Sequence, residues 1–306
     1  MKEISSRDNP LFKRLRALAA APRRQRRDGV ALLDGAHLAQ AWLARRGQPD
    51  LCLVTPQALQ QPEIAAIAAR VDGSRCLLLP DSMLAQIATV EQSVGLLFFV
   101  TVGAGTAVSA TAAATAHAAA TPVATATATT ATATTDAADA TGVQPTAALA
   151  SCPSSDPRVT ENCVILDGIQ DAGNAGTILR SAAAAGIGRV FSTVGTAYLW
   201  APKVLRAGMG AHFALTLVEQ CDAAALLARL DIPLAVTTLE GAVELYDCDL
   251  ARPLAWVFGN EGAGVTEIWH RHAGLRVKIP QAEGVESLNV AAAAAVCLFE
   301  QRRQCR

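Results

Sequence analysis

Short apolar runs alternate with helix-forming stretches along residues 159–306, and this alternation is the feature that most limits the fold. The apolar runs predict strands at 162–169, 189–194, 233–239, 253–259 and 275–280. The stretches between them predict helices at 174–186, 221–230 and 265–272, a helix followed by a short strand within 201–215, and a final helix from Asn289 to Arg302. Helical crossovers join parallel strands. The pattern therefore predicts an α/β fold with a mostly parallel sheet.

The first 100 residues show the same alternation on a smaller scale. Asn9 and Pro10 predict the start of an amphipathic helix, because asparagine is a capping residue and proline suits the first helical position. Strands are predicted at 50–55, 75–80 and 94–100, with helices between them. We therefore expect a separate small α/β domain over residues 1–100.

Residues 101–158 consist largely of alanine and threonine. This tract has no useful hydrophobic periodicity and almost no charge, and its two main residues have opposed helix propensities. We expect a low-complexity linker here, with the second domain beginning at residue 159.

Cysteine usage and hydropathy limit the class of protein. The eight cysteines include no C-x-x-C pair, and none is near His270 and His272, so we expect neither a disulfide framework nor a metal site. The charged N-terminus lacks the apolar region of a signal peptide, and the apolar run at 94–100 is too short to span a membrane. These features predict a cytoplasmic protein without a membrane partner.

The net charge of −1 hides a basic N-terminus. Residues 1–30 contain nine lysines and arginines against three acidic residues. Such a segment on a nearly neutral protein indicates a polyanionic partner, most simply nucleic acid, although a solvated helix face would have the same composition. The candidate nucleic-acid contacts are Lys13, Arg14, Arg16, Arg23 and Arg24.

Three predicted strands end in polar, glycine-rich segments: LDGIQDAGNAGTILRSA (166–182), VFGNEGAGV (257–265) and IPQAEGVESLNVA (279–291). Ligands of open α/β sheets bind at the carboxyl ends of strands. No G-x-G-x-x-G follows a strand, and the sequence has neither a P-loop nor a G-x-S-x-G motif. In the third segment Ser287 and Asn289 precede the final helix, which suits a helix cap as well as a ligand-binding loop.

These segments resemble, in order, the three motifs of the SpoU (TrmH) family of RNA ribose 2′-O-methyltransferases, within the SPOUT superfamily. The matching residues are Asp171, Asn174, Gly176, Arg180, Ser181 and Ala182 in the first segment, Phe258, Gly259, Glu261 and Gly264 in the second, and Ile279, Pro280, Ser287, Leu288, Asn289, Val290 and Ala293 in the third. KVLRAGMGAHF (203–213) is similar to the family's segment between its first two motifs. Each motif alone is weakly specific, whereas three in order at strand ends are strongly specific.

The resemblance implies a fold and an activity. The fold is a SPOUT domain with a deep trefoil knot over residues 159–306, preceded by a domain similar to ribosomal protein L30e, which residues 29–43 resemble. The activity is transfer of a methyl group from S-adenosylmethionine to a ribose 2′-hydroxyl of structured RNA, with ribosomal RNA favoured over transfer RNA, by a homodimer formed through the catalytic domain. The alternative is a non-catalytic RNA-binding or ribosome-assembly protein that retains the fold.

The resemblance also assigns residues to the cofactor. The expected S-adenosylmethionine contacts are Leu239, Gly259, Ile279, Pro280, Leu288 and Asn289. Apolar side chains such as Ile279 and Leu288 suit an adenine ring, and a glycine at 259 lets the backbone approach a ligand closely.

Methyl transfer requires a 2′-hydroxyl held in line with the C–S bond and relieved of its proton. The family's proposed base or base-assistant corresponds to Arg180. Because arginine is effectively always protonated, we expect Arg180 to clamp the substrate phosphate and leave the base unassigned. By the same resemblance Asn174 and Asn289 would orient Arg180 or the ribose, while Glu261 and Ser287 would fix the loops by hydrogen bonding.

Three positions depart from the family pattern. Asp167 stands where asparagine is usual, Ala172 where proline is common, and Gly208 where serine is frequent. We expect these differences to affect substrate detail rather than activity.

Overall fold

A computed structural model describes residues 1–90, 92–102, 158–238, 241–284 and 287–306, which form two β-sheets and their flanking helices. The strands are β1 (Lys2–Glu3), β2 (Val30–Asp34), β3 (Leu51–Val54), β4 (Cys76–Leu78), β5 (Leu96–Thr101), β6 (Cys163–Asp167), β7 (Arg189–Thr193), β8 (Thr216–Cys221), β9 (Leu234–Thr237), β10 (Val243–Glu244), β11 (Ala255–Gly259) and β12 (Ala273–Lys278). The helices are α1 (Pro10–Ala19), α2 (Pro22–Asp28), α3 (Ala36–Arg45), α4 (Pro62–Ala69), α5 (Asp81–Leu84), α6 (Ala172–Ala185), α7 (Pro202–Gly208), α8 (Ala223–Leu227), α9 (Glu267–Arg271) and α10 (Val290–Gln304). The predicted linker lies outside the described residues, apart from its two ends.

The N-terminal sheet is mixed and has the strand order β1-β4-β3-β5-β2. Its first three strands are parallel, whereas β5 runs antiparallel to both of its neighbours. Asn9 accepts a hydrogen bond from the Leu11 backbone N–H (2.9 Å), and Pro10 is the first residue of α1, so the predicted helix start is confirmed. No helix was predicted for α2, because this short basic stretch has no apolar periodicity.

The C-terminal sheet has the order β10-β12-β9-β11-β6-β7-β8, and every pair of neighbouring strands is parallel, which confirms the mostly parallel sheet. Its central strands β6 and β11 are buried throughout, as their continuous apolar sequences require. They lie side by side, with Gly259 opposite Asp167. The first and second polar segments therefore leave the sheet at the same edge. The strand predicted within 201–215 was misplaced, because Ala211–Ala214 form a 3-10 turn and β8 begins at Thr216.

The two sheets share a hydrophobic core. Trp42 on α3 packs edge-on against Phe213, with ring centroids 5.5 Å apart. The Tyr198 hydroxyl donates to the Val30 carbonyl oxygen at 3.0 Å. The α/β fold class is confirmed, while the knot, the likeness to ribosomal protein L30e and the domain boundaries stay predictions. Within the described ranges, no helix has the length and apolar character needed to cross a membrane.

Helices α6 and α7 cross at close range. A Cβ atom on Gly176 would lie 2.5 Å from the Val204 carbonyl oxygen, so this motif glycine is required by packing. A Cβ atom on Gly208 would lie 2.5 Å from Cε1 of the buried His212 ring. The family frequently has serine at position 208. Here the His212 ring occupies the space that a side chain at position 208 would need, so glycine suits this position.

Candidate active site

One side chain from each of the three polar segments takes part in a hydrogen-bonded chain, which we call the Asn–Asn–Glu chain. Asn289 Nδ2 donates to Asn174 Oδ1 at 3.0 Å, and Asn174 Nδ2 donates to Glu261 Oε1 at 3.0 Å. These bonds join residues 115 and 87 positions apart. The tertiary fold therefore brings together three of the five predicted catalytic residues.

Glu261 ties the second segment to the start of α6. Its Oε1 also accepts from the Asp171 backbone N–H (3.1 Å), and its Oε2 accepts from the Gln170 backbone N–H (3.2 Å). Burial raises the pKa of Glu261, but the hydrogen bonds from Asn174 and the two backbone groups outweigh this effect and leave the pKa below its ordinary value. Glu261 is therefore an ionised hydrogen-bond acceptor at neutral pH.

Both asparagines are oriented by helix ends. Asn289 Oδ1 accepts from the Ala291 and Ala292 backbone N–H groups at 2.9 and 3.3 Å, so Asn289 caps α10 as well as joining the chain. The Asn174 backbone N–H donates to Asp171, the N-cap of α6. Each asparagine amide keeps one N–H with no acceptor among the described residues, and these donors are available to a ligand oxygen.

A cavity of about 630 Å³ lies beside the Asn–Asn–Glu chain. Its volume is within the range of ~300–1,000 Å³ usual for small-molecule sites. The walls include six of the predicted site residues: Gly259, Glu261, Ile279, Ser287, Leu288 and Asn289. Leu288 is 39% exposed, so an apolar side chain on the wall is left for a ligand to cover.

The loop after β11 forms the tight side of this cavity. A Cβ atom on Gly259 would lie 2.2 Å from both the Gly264 carbonyl carbon and the Val265 nitrogen, so only glycine fits. The turn is closed by backbone hydrogen bonds of 2.9 Å between Asn260 and Gly264 in both directions. Asn260 Oδ1 also accepts from the Gly262 and Ala263 backbone N–H groups, which holds the turn in shape.

Asp167 links the bases of three loops, a contribution that sequence reasoning missed. It is buried, its Oδ1 accepts from the Thr193 hydroxyl at 3.0 Å, and its Oδ2 accepts from the Thr266 N–H and hydroxyl, both at 2.8 Å. Asp167, which stands where the family usually has asparagine, thus supports the loops through both of its carboxylate oxygens. At the second departure, Ala172 is the first residue of α6, where proline is favoured but not needed because Asp171 already caps the helix.

Three further predicted site residues, Arg180, Ser287 and Pro280, make no hydrogen bond to the Asn–Asn–Glu chain. Arg180 is exposed on α6 and makes no hydrogen bond or ion pair with another described residue, so neither asparagine orients it directly. Ser287 is exposed and has no side-chain hydrogen bond to the described part of the chain. Pro280 is exposed and is not part of the cavity wall, and Leu239 lies outside the described residues.

The five basic residues predicted to contact nucleic acid, Lys13, Arg14, Arg16, Arg23 and Arg24, are all exposed. Their neighbour Arg26 on α2 instead points inward. Its Nη2 donates to buried Glu219 at 3.1 Å, and its guanidinium lies 5.4 Å from the Tyr198 ring centroid. One of the nine basic residues at the N-terminus, Arg26, therefore joins the two sheets.

The C-terminal part of the chain is similar to proteins of a known family. Residues 161–299 match the SpoU rRNA Methylase family. The C-terminal part of the chain is therefore similar to this family. The match contains the whole Asn–Asn–Glu chain and the cavity walls from the loop after β11 to the start of α10.

Curated relatives match about half of this chain. An uncharacterised tRNA/rRNA methyltransferase of Synechocystis is 38% identical over 144 residues, covering 46% of this chain and 53% of the relative. The 23S rRNA (guanosine-2′-O-)-methyltransferase RlmB of Pseudomonas putida is 36% identical over 144 residues, covering 46% and 58%. The 23S rRNA (guanosine(2553)-2′-O)-methyltransferase RlmP of Bacillus subtilis is 31% identical, covering 52% and 65%. The matches thus span between about half and two thirds of these relatives.

Solved structures match almost the full chain. The AdoMet-bound rRNA methyltransferase of Sinorhizobium meliloti has a TM-score of 0.71 at 24% identity, covering 99% of this chain and 97% of that one. The SpoU methyltransferase AviRb of Streptomyces viridochromogenes, in complex with AdoMet, has a TM-score of 0.73 at 20% identity, covering 97% and 98%. These likenesses establish a common fold.

Proposed function

We propose that this protein is an S-adenosylmethionine-dependent RNA methyltransferase that modifies a ribose 2′-hydroxyl of ribosomal RNA. The observation that carries the proposal is the Asn–Asn–Glu chain, which joins all three motifs of the SpoU domain beside a cavity of about 630 Å³. The names of RlmB and RlmP, both 23S rRNA guanosine 2′-O-methyltransferases, support this substrate class.

The cavity suits S-adenosylmethionine, which when bound supplies an electrophilic methyl group. Ile279 and the part-exposed Leu288 offer apolar surface to an adenine ring, and the backbone at Gly259 has no side chain to obstruct it. Asn289 offers an unused amide N–H on the same wall. Leu239 and Pro280 belong to the proposed cofactor set through the family resemblance alone.

The chain's own residues would bind and orient the RNA nucleophile. Arg180 is exposed and unpaired among the described residues, so it is available to hold a phosphate group. The free amide N–H groups of Asn174 and Asn289 can donate to ribose oxygens, and both amides are held by Glu261 and the α10 cap. Holding the hydroxyl in line reduces the entropic part of the barrier. Ser287 would position the loop, and the base stays unassigned.

The proposal includes a homodimer formed through the SpoU domain, a cytoplasmic location, and RNA contacts at Lys13, Arg14, Arg16, Arg23 and Arg24. The exposure of all five basic residues supports these contacts. The non-catalytic alternative rested on the departures at Asp167 and Ala172. Because Asp167 is fully hydrogen-bonded and α6 begins normally at Ala172, neither departure favours that alternative.

The deciding experiment is transfer of labelled methyl from S-adenosylmethionine to unmethylated ribosomal RNA transcripts, followed by nuclease mapping. A methylated 2′-oxygen cannot attack the adjacent phosphate, so we expect label in a dinucleotide that resists alkali. Arg180→Ala should lose turnover while retaining S-adenosylmethionine binding. If wild type binds RNA but transfers no label, the non-catalytic alternative is correct. Light scattering tests the dimer, and a strict monomer would contradict it.

A further inference from the structure

A second cavity, of about 200 Å³, lies between the N-terminal sheet and α7. Its walls come from β2, the first turn of α3, the loop before β5, and α7; they include Leu32, Gly35, His37, Val94, Arg206 and Met209. None of these residues belongs to the Asn–Asn–Glu chain or to the larger cavity. The volume is below the ~300 Å³ at which whole small-molecule sites begin. It suits a single ring system that is part of a larger ligand.

Met209, on the wall of this cavity, has an uncommon backbone conformation and an exposed apolar side chain. It ends α7 in the left-handed conformation, with φ of 47°, at a position where glycine is usual. Its side chain is 47% exposed, and Val94 on the same wall is 43% exposed. The apolar surface that Met209 and Val94 expose at the cavity is available for a ligand to cover.

The unsatisfied charge at this cavity is positive. The Asp34 carboxylate accepts hydrogen bonds from the Thr89 N–H (2.8 Å) and from the Ser93 hydroxyl (2.7 Å), so both of its oxygens already have donors. Arg206 is exposed and has no partner among the described residues, and the same holds for Lys203 one turn earlier on α7. The cavity therefore combines apolar walls with one lining cation, Arg206, and Lys203 lies three positions earlier on the same helix; both charges complement a phosphate backbone.

The position of α7 relates this cavity to the candidate active site. On one side α7 contacts Gly176, which is two residues from Asn174 on α6. On the other side Leu205, Arg206 and Met209 line the cavity. Helix α7 therefore lies between α6, which carries Asn174, and the cavity.

We propose that this cavity binds one unstacked base of the RNA substrate, close to the target nucleotide. The inference rests on the proposed RNA substrate. Bases of single-stranded RNA stack on arginine planes and on apolar side chains, and a methionine thioether makes favourable contacts with aromatic rings. Met209 and Arg206 supply these two contacts, and Lys203 holds a neighbouring phosphate.

The test is Met209→Gly in the full chain. Glycine suits the left-handed position, so this variant should fold at least as well as wild type while losing the stacking side chain. We expect the KM for an unmethylated 23S rRNA transcript to rise about tenfold, within the ~5- to 150-fold that one stacked base is worth. The Kd for S-adenosylmethionine should not change. Val243→Ala, at an exposed apolar residue outside the cavity, is the matched control and should leave the KM unchanged.

A second pair of variants separates a local contact from general charge. Arg206→Ala should raise the KM, whereas Arg45→Ala removes an equal charge at the far end of α3, ~13 Å along that helix, and should have little effect. An unchanged KM for Met209→Gly, or equal effects of the two arginine variants, would overturn the inference while wild type still methylates RNA. Failure of wild type to methylate RNA would instead overturn the proposed function.

Discussion

Replacing Glu261 by glutamine removes one of the two carboxylate oxygens that hold the start of α6. In the wild-type protein Oε1 accepts from the Asp171 N–H and Asn174 Nδ2, and Oε2 accepts from the Gln170 N–H. A glutamine amide has one acceptor oxygen, so at least one of these three bonds is lost and an NH₂ group then faces another donor. The perturbation reaches Asn289 through Asn174.

The magnitude follows from the number of bonds and their exposure. Glu261 is exposed, so each bond is worth about 0.5–1.5 kcal/mol rather than the larger value for a buried charge. Loss of one or two bonds should cost roughly 1–2 kcal/mol of transition-state stabilisation, which corresponds to a 5- to 30-fold lower kcat/KM. Global stability should change little, because the loop is at the surface.

The assay is methyl transfer to the ribosomal RNA transcript at saturating S-adenosylmethionine. Glu267→Gln is the matched control, since Glu267 is exposed and pairs only with Arg271 on the same helix. A kcat/KM for Glu261→Gln within twofold of wild type would refute a positioning role for the Asn–Asn–Glu chain. Because the pKa of Glu261 is lowered in the folded protein, its small contribution to folding stability should be complete above pH ~4.3 and lost as the pH falls through the folded-state pKa.

Three further predictions concern glycine fit, loop support and pH. Gly259→Ala places a methyl group against the Gly264–Val265 backbone and should weaken S-adenosylmethionine binding by more than about tenfold in calorimetry, whereas Gly262→Ala, with no atom closer than 3.7 Å, should not. Asp167→Asn keeps the acceptor for Thr266, so the free energy of unfolding measured in urea should fall by less than ~1 kcal/mol. Asp167→Ala removes this acceptor and should lower the same free energy by about 2–4 kcal/mol. Equal losses for the two variants would contradict a supporting role for Asp167. Burial lowers the pKa of His212 from 6.5 to about 4. Between these two pH values the unfolded chain binds a proton that the folded chain does not bind. The free energy of unfolding should therefore fall by up to ~3 kcal/mol as the pH drops from 6.5 to 4. Urea unfolding of His212→Gln should lose most of this dependence.

Local sequence patterns were sufficient for most secondary structure. The start of α1 was predictable because capping by Asn9 and the fixed φ of Pro10 act over three residues. The buried strands β6 and β11 were predictable because burial on both faces requires continuous apolar runs. Element boundaries failed where a 3-10 turn displaced β8, and α2 was missed because its seven residues lack an apolar face.

For the candidate site, the sequence predicted which residues take part but not how they are paired. Its components were found from motif residues, since glycine and amide side chains at strand ends have a limited set of uses. Their pairing could not be found, because hydrogen bonds across 87 and 115 positions depend on the angle at which α6, α10 and the β11 loop meet. Arg180 belongs to the same motif as Asn174, but it makes no hydrogen bond to the Asn–Asn–Glu chain.

By itself the sequence determined an α/β fold with a parallel C-terminal sheet and predicted a ligand site at its strand ends, because periodicity and capping are local properties of the chain. Tertiary structure alone decided that Arg26 joins Glu219 instead of solvent, that Asp167 supports three loops, and that Gly208 leaves room for His212. Each of these outcomes depends on which distant groups occupy the remaining space around a side chain, and close packing settles that only when all the elements are in place.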